Sequence, residues 1–168
     1  MNKIILSILL LSGLVFASSD MKPFNVPKKY FLTYDKNTTC LVRHFKVAKE
    51  PRWVAKISVR NGKTVYFSSP KSMFEFYFRP GKWFDVGVRS ERDFSEIVVT
   101  DYETSKPINA ETAYYVYGSN VTSPAGDDLI PFATKEAAEK FSSEHNGHRV
   151  MSFDKVSDAL IRLINGRV

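Results

Sequence analysis

The chain has 168 residues, 43% of them hydrophobic and 25% charged, which is enough apolar material for one core and a length that fits one domain or two very small ones. The formal net charge is +6. A single cysteine, Cys40, excludes an intrachain disulfide, and no phosphate-binding loop, nucleophile elbow or zinc-peptidase signature is present to suggest catalysis.

The N-terminus reads as an export signal. Lys3 precedes an uncharged apolar run over residues 4–16, and Val15-Phe16-Ala17 before Ser18-Ser19-Asp20 places cleavage after about Ala17. The run is shorter than a membrane span, so the expectation is a soluble periplasmic protein with no stable span after cleavage. Losing Lys3 with the signal leaves 23 basic against 18 acidic residues, a net charge of +5. An exported chain rarely meets nucleic acid, and no nucleic-acid motif is present. The basic balance then points to acidic partner proteins, to anionic head groups, or to nothing beyond a solvated surface.

Residues 18–39, with Pro23, Pro27 and lysines at 22, 28, 29 and 36, read as an extended basic lead-in. Cys40 follows. A lone thiol in an oxidising compartment is a metal ligand, a redox-active group or a buried, inert side chain. Residues 52–60 alternate, with Trp53, Ala55, Ile57 and Val59 on one face; Asn61-Gly62 is a hairpin signal and 63–67 the returning strand. Ser69-Pro70 opens a helix through Met73, Phe74, Phe76 and Tyr77 that Pro80-Gly81 ends.

Ile97 to Thr100 form a further strand. Tyr114 to Tyr117 make an aromatic strand that stops at Gly118; aromatic side chains left outward on it would offer a docking surface. Residues 119–128 form a long loop of the kind that is functional or mobile. A strand over 129–132, the N-cap Thr134, a helix with Ala137, Ala138 and Phe141 inward, the stop Asn146-Gly147 and a strand over 149–153 follow. Asp154 is placed as the cap of a last helix with Val156, Leu160, Leu163 and Ile164 on one face, ended by Asn165-Gly166.

Residues 65–76 set over 130–141 at an offset of 65 align Phe67 with Phe132, Ser69 with Thr134 and Phe76 with Phe141. The predicted fold class is therefore α+β: two tandem ββα-type units with an additional C-terminal helix. The first unit and its connection span 40–109, the second unit and the final helix 110–168.

The segments Tyr115-Val116-Tyr117-Gly118-Ser119, Ser123-Pro124-Ala125-Gly126 and Leu129-Ile130-Pro131-Phe132, the alanine-bearing helix, His145-Asn146-Gly147 and Phe153-Asp154-Lys155-Val156 together carry a resemblance. They are similar to the nitrous oxide reductase accessory protein family, the NosL-type periplasmic copper-binding proteins, and the likeness runs from about Cys40 to Val156. The family is built of two ββα-type halves. Its approximate pattern C-x-V-C-G-M is matched by Cys40 and Val42, but Arg43 stands for the second cysteine, His44 for the glycine and Phe45 for the methionine. Ala125 stands for the methionine of the family's G-P-M-G loop. Many members are lipoproteins with a cysteine at the cleavage site, which this chain lacks there.

What the resemblance implies is a non-enzymatic Cu(I) chaperone that receives copper and passes it, with a membrane copper-transporter complex, to nitrous oxide reductase or another periplasmic copper enzyme. Cu(I) prefers thiolate and thioether donors and accepts imidazole. Cys40 and His44, with Met73 or a histidine of the second unit, form the expected metal site. Met73 lies among aromatic residues, where methionine usually fills core; His145 and His148 flank a turn, and Met151 lies in a strand. Asp127-Asp128 lack a third oxygen ligand at a telling spacing. The alternative is a metal-free periplasmic interaction module that kept the fold and lost the ligands. A Cys40 enclosed by apolar side chains favours that alternative.

Overall fold

The structure, a computed structural model, describes residues 28–166. The expected signal over 1–17 and the lead-in as far as residue 27 lie outside the described residues. Among those described, no helix is long and apolar enough to cross a membrane.

The fold is α+β, built on two antiparallel sheets. The first has β1 (Ala55–Val59), β2 (Thr64–Phe67), β3 (Phe94–Thr100) and β4 (Pro107–Asn109) in the order β2-β1-β3-β4. Gly62, at φ +88°, turns β1 into β2, and Ala55 pairs with Phe67 on one side and Val99 on the other. The second has β5 (Tyr114–Tyr117), β6 (Leu129–Phe132) and β7 (Arg149–Ser152) in the order β6-β5-β7, with Tyr114 opposite Phe132 and Ser152. In each sheet a helix follows the hairpin, and the strand after the helix returns to pair with the first. These helices are α1 (Pro70–Phe78) and α2 (Lys135–Glu144); α3 (Asp158–Ile164) ends the described chain.

Local chemistry accounts for the helix starts. The Ser69 hydroxyl accepts the N–H of Ser72, Pro70 occupies the first turn, and Thr134 accepts the N–H of Ala137. Two readings of the sequence need correction. Trp53 is not on the strand: Pro51 forces a 3-10 turn over Pro51–Trp53, which carries the indole into a second cluster with Phe132 and Phe141. The cap of α3 is Ser157, whose hydroxyl accepts the N–H of Leu160, and not Asp154. The helix therefore starts later, Val156 lies ahead of it, and Leu163 is 54% exposed.

Helix α1 is the hinge pin of the packing. Seven of its nine residues are buried. Phe76 meets Phe67 and Phe94 of the first sheet, each at 5.6 Å between ring centres, while Phe74 meets Tyr115 of the second sheet at 5.2 Å and Phe153 at 5.0 Å. One continuous core therefore joins residues from both sheets. Truncation of Phe74 to alanine is expected to remove about 3–5 kcal/mol of stability in urea denaturation, because the cavity opens between the sheets; a loss below about 1 kcal/mol would contradict the shared core.

Candidate metal centre

Cys40 lies at the base of a short hairpin-like excursion. Its N–H donates to the Phe45 carbonyl at 2.8 Å, Thr39 bridges Lys46, and the His44 N–H donates to the Cys40 carbonyl at 2.9 Å. Leu41 ties the excursion to β2 through the Tyr66 carbonyl at 2.9 Å. His44 closes the turn at φ +58°, in the left-handed region. The turn wraps its first side chain, and the Arg43 N–H donates to Cys40 Sγ at 3.3 Å. An N–H directed at sulfur suits a thiol, a thiolate or a metal-bound sulfur alike.

The structure sends the three expected donors in different directions. Cys40 is 0% exposed and belongs to the larger core cluster, His44 is exposed on the turn, and Met73, also 0% exposed, fills core on α1. Among the described residues no three His, Cys, Asp or Glu side chains gather as a metal-holding group. His145 stacks on Phe141 at 4.2 Å, and His148 packs edge-on near Tyr117.

The 119–128 loop is pinned and not slack. Ser123 and Gly126 exchange backbone hydrogen bonds at 2.9 and 3.0 Å, Gly126 takes φ +84°, and the Ala125 N–H donates to Ser123 Oγ. Below this turn the buried Asp128 accepts from Ser123 Oγ at 2.6 Å, from its neighbour's N–H at Leu129, and from the N–H of Lys71 at 2.6 Å. That last contact satisfies a free amide at the start of α1, where a negative group is favoured. The Lys71 ammonium donates to the Ala125 carbonyl at 2.7 Å and to the Ile164 carbonyl at 3.4 Å. The loop, the start of α1 and the end of α3 are thus laced through Asp128 and Lys71.

Arg43 completes the arrangement. Its Nη2 donates to Glu75 Oε2 at 3.0 Å and to Asn165 Oδ1 at 2.6 Å, and Asn165 Nδ2 donates back to Glu75 at 3.1 Å. Arg43, Phe45, Lys71, Pro124, Ala125 and Asn165 line an open recess of about 310 Å³. The Cys40 turn and the Ser123–Gly126 turn therefore face one another, but across two cations that cannot coordinate copper. The soft donors at this place are one enclosed thiol and one outward imidazole.

Sequence reading missed Arg43, Glu75, Asn165, Lys71 and Asp128 as a connected set. The signal was there: Glu75 interrupts the run Met73-Phe74-Glu75-Phe76, and a carboxylate inside a buried helix requires a partner.

A family model described as NosL matches residues 31–161. The chain belongs to the NosL family. The crystal structure of the copper chaperone NosL from Shewanella denitrificans is similar to it at 24% identity and a TM-score of 0.66, over 79% of this chain and 99% of that one. The solution structure of the apo-NosL protein from Achromobacter cycloclastes aligns at 20% identity and a TM-score of 0.47, over 64% and 87% of the two chains. At these identities the first likeness speaks to the fold, which this NosL-family chain shares. No curated protein matches the chain in sequence.

Burial pushes the Asp128 carboxyl above its ordinary value, against the hydrogen bonds that pull it down. Burial also draws the Lys71 ammonium below its ordinary value, opposed by the charge of Asp128 and assisted by that of Arg43. A carboxyl that holds its proton more tightly folded than unfolded contributes most below its unfolded pKa, and that contribution falls as pH rises through the folded one. Urea denaturation between about pH 3 and 7 is expected to show wild type losing stability relative to Asp128→Asn, a side chain that stays neutral throughout, as pH rises.

Proposed function

We propose that this NosL-family chain is a periplasmic copper-binding accessory protein that carries Cu(I) at Cys40 and hands it to a copper enzyme by ligand exchange. The reading rests on one observation: the family match spans the thiol, and the turn around it directs a backbone N–H at the sulfur. The fold shared with a protein named as a copper chaperone supports it. Cys40 is the thiolate, and His44, at the far end of the same turn, is the imidazole able to join it when the turn relaxes. A thiolate with one imidazole is a competent soft pair for Cu(I) at low coordination number. Met73 is the third donor of this reading and requires rearrangement of α1 packing. Nitrous oxide reductase is the client the resemblance names, with a membrane copper-transporter complex upstream. The role is carriage of a cation and involves no chemical turnover.

A second reading is favoured by a specific observation. Cys40 is enclosed in the core cluster, and Arg43 and Lys71 line the recess beside it. Those features suit a metal-free interaction module that retains the fold and presents it to a partner.

Anaerobic Cu(I) titration of the chain from Ser18, in competition with a coloured chelator, separates the two. The copper reading expects one-to-one binding that Cys40→Ser weakens by more than about 100-fold, beyond what supporting residues around a metal are worth. His44→Ala is expected to weaken it by about tenfold. Failure of the unmutated chain to compete at all would leave the interaction module as the function.

A further inference from the structure

We propose that Arg43 controls access to Cys40: its guanidinium, held between Glu75 and Asn165, keeps the 41–44 turn closed over the thiol, and release of that hold exposes the sulfur. The inference rests on the copper reading for its purpose only, since the closure is measurable without copper.

Arg43 is bound to the thiol and to the helices at once. Its backbone N–H contacts Cys40 Sγ at 3.3 Å, while its side chain reaches the carboxylate of α1 and the residue that caps the end of α3. Most of the remaining ties hold the base of the excursion, and the His44 N–H to the Cys40 carbonyl is the backbone bond that closes its crest. Cys40 and Phe45 pair by backbone, Thr39 bridges Lys46, and Leu41 is fixed to β2. Besides the contacts of Arg43, movement of residues 42–44 breaks the His44 N–H bond to the Cys40 carbonyl and lifts Val42 from the edge of the core.

The closed state also carries a cost. Arg43 Nε is buried with no hydrogen-bond partner, although Nη2 has two. A buried donor without a partner loses its hydration and regains nothing, so the closed turn is less stable than its ion pair alone would make it. His44 adds backbone strain, because a non-glycine residue at φ +58° is in a sparsely populated region. A charge-assisted clamp opposed by a stranded donor and a strained hinge is a closure built to open locally.

One anchor, Glu75, lies on α1, and the other, Asn165, caps the end of α3, whose Ile161 is buried. α1 is buried between the sheets, and Arg79 at its C-terminal end pairs with Asp158 at the start of α3. The helices run antiparallel, with Lys71 near the start of α1 bonded to the Ile164 carbonyl at the end of α3. Glu75 and Asn165, bonded to each other, thus form the receptor, and Arg43 is the part that leaves it.

The test is the rate at which iodoacetamide, a small neutral probe, alkylates Cys40 in the full chain, measured as a function of low urea concentration and beside a thermal melt. The expected result is alkylation with little urea dependence, which marks local opening, and at least about a tenfold acceleration in Arg43→Ala with a comparable one in Asn165→Ala. Arg43→Lys keeps the charge, loses the planar guanidinium whose Nη2 bridges both anchors, and falls between. Two outcomes overturn the inference: alkylation that follows global unfolding in every variant, or rates that neither substitution changes. If the clamp variants alkylate faster and yet no form competes for Cu(I), the gate stands and the copper reading falls; Cu(I) binding with alkylation rates unmoved by either substitution has the opposite meaning.

Discussion

Burial of α1 is the constraint on which this structure depends. A helix enclosed between two sheets gains apolar contact on every side, and each fully buried large side chain adds roughly 1.5–3 kcal/mol. The same enclosure denies water to the helix start and to its two charged residues, Lys71 and Glu75. Each must then find a protein partner. Asp128 accepts the Lys71 amide, Ala125 and Ile164 accept the Lys71 ammonium, and Arg43 with Asn165 answers Glu75. The 123–128 turn, the Cys40 turn and the end of α3 sit where they do because they satisfy this helix.

Local signals made most of the fold legible. Asn61-Gly62, Ser69-Pro70, Thr134 and Asn146-Gly147 punctuate the chain where strands and helices begin and end, because turn geometry and caps are decided by neighbouring residues. Trp53 and the start of α3 were misread for the opposite reason. Alternation over 52–60 includes Trp53 although Pro51 stands just ahead of it, and Asp154 and Ser157 are both competent caps; the choice between them is made by packing of Phe153 and Val156 in the core, which no local pattern records.

The site was legible only in its parts. Cys40 and His44 are four apart in sequence and joined by a backbone hydrogen bond, yet one side chain is enclosed and the other exposed, a separation set by the left-handed turn at His44. The ties that decide what the thiol can do span 32 residues to Glu75 and 122 to Asn165. Distances of that order are invisible to motif spacing. The substitutions relative to the family pattern were read one at a time, as Arg43, Phe45 and Ala125, whereas the structure shows Arg43, Phe45 and Ala125 sharing one recess with Lys71.

The enclosure of Cys40 bears on the redox chemistry open to its thiol. Disulfide exchange proceeds by attack of a thiolate on a reachable sulfur, and a protein with a single cysteine can form such bonds only with other molecules. A sulfur folded beneath its own turn is withheld from that chemistry most of the time, so encounters between two copies, or with small disulfides, seldom end in a covalent adduct. The burial that hides the thiol from a soft metal ion hides it equally from a disulfide.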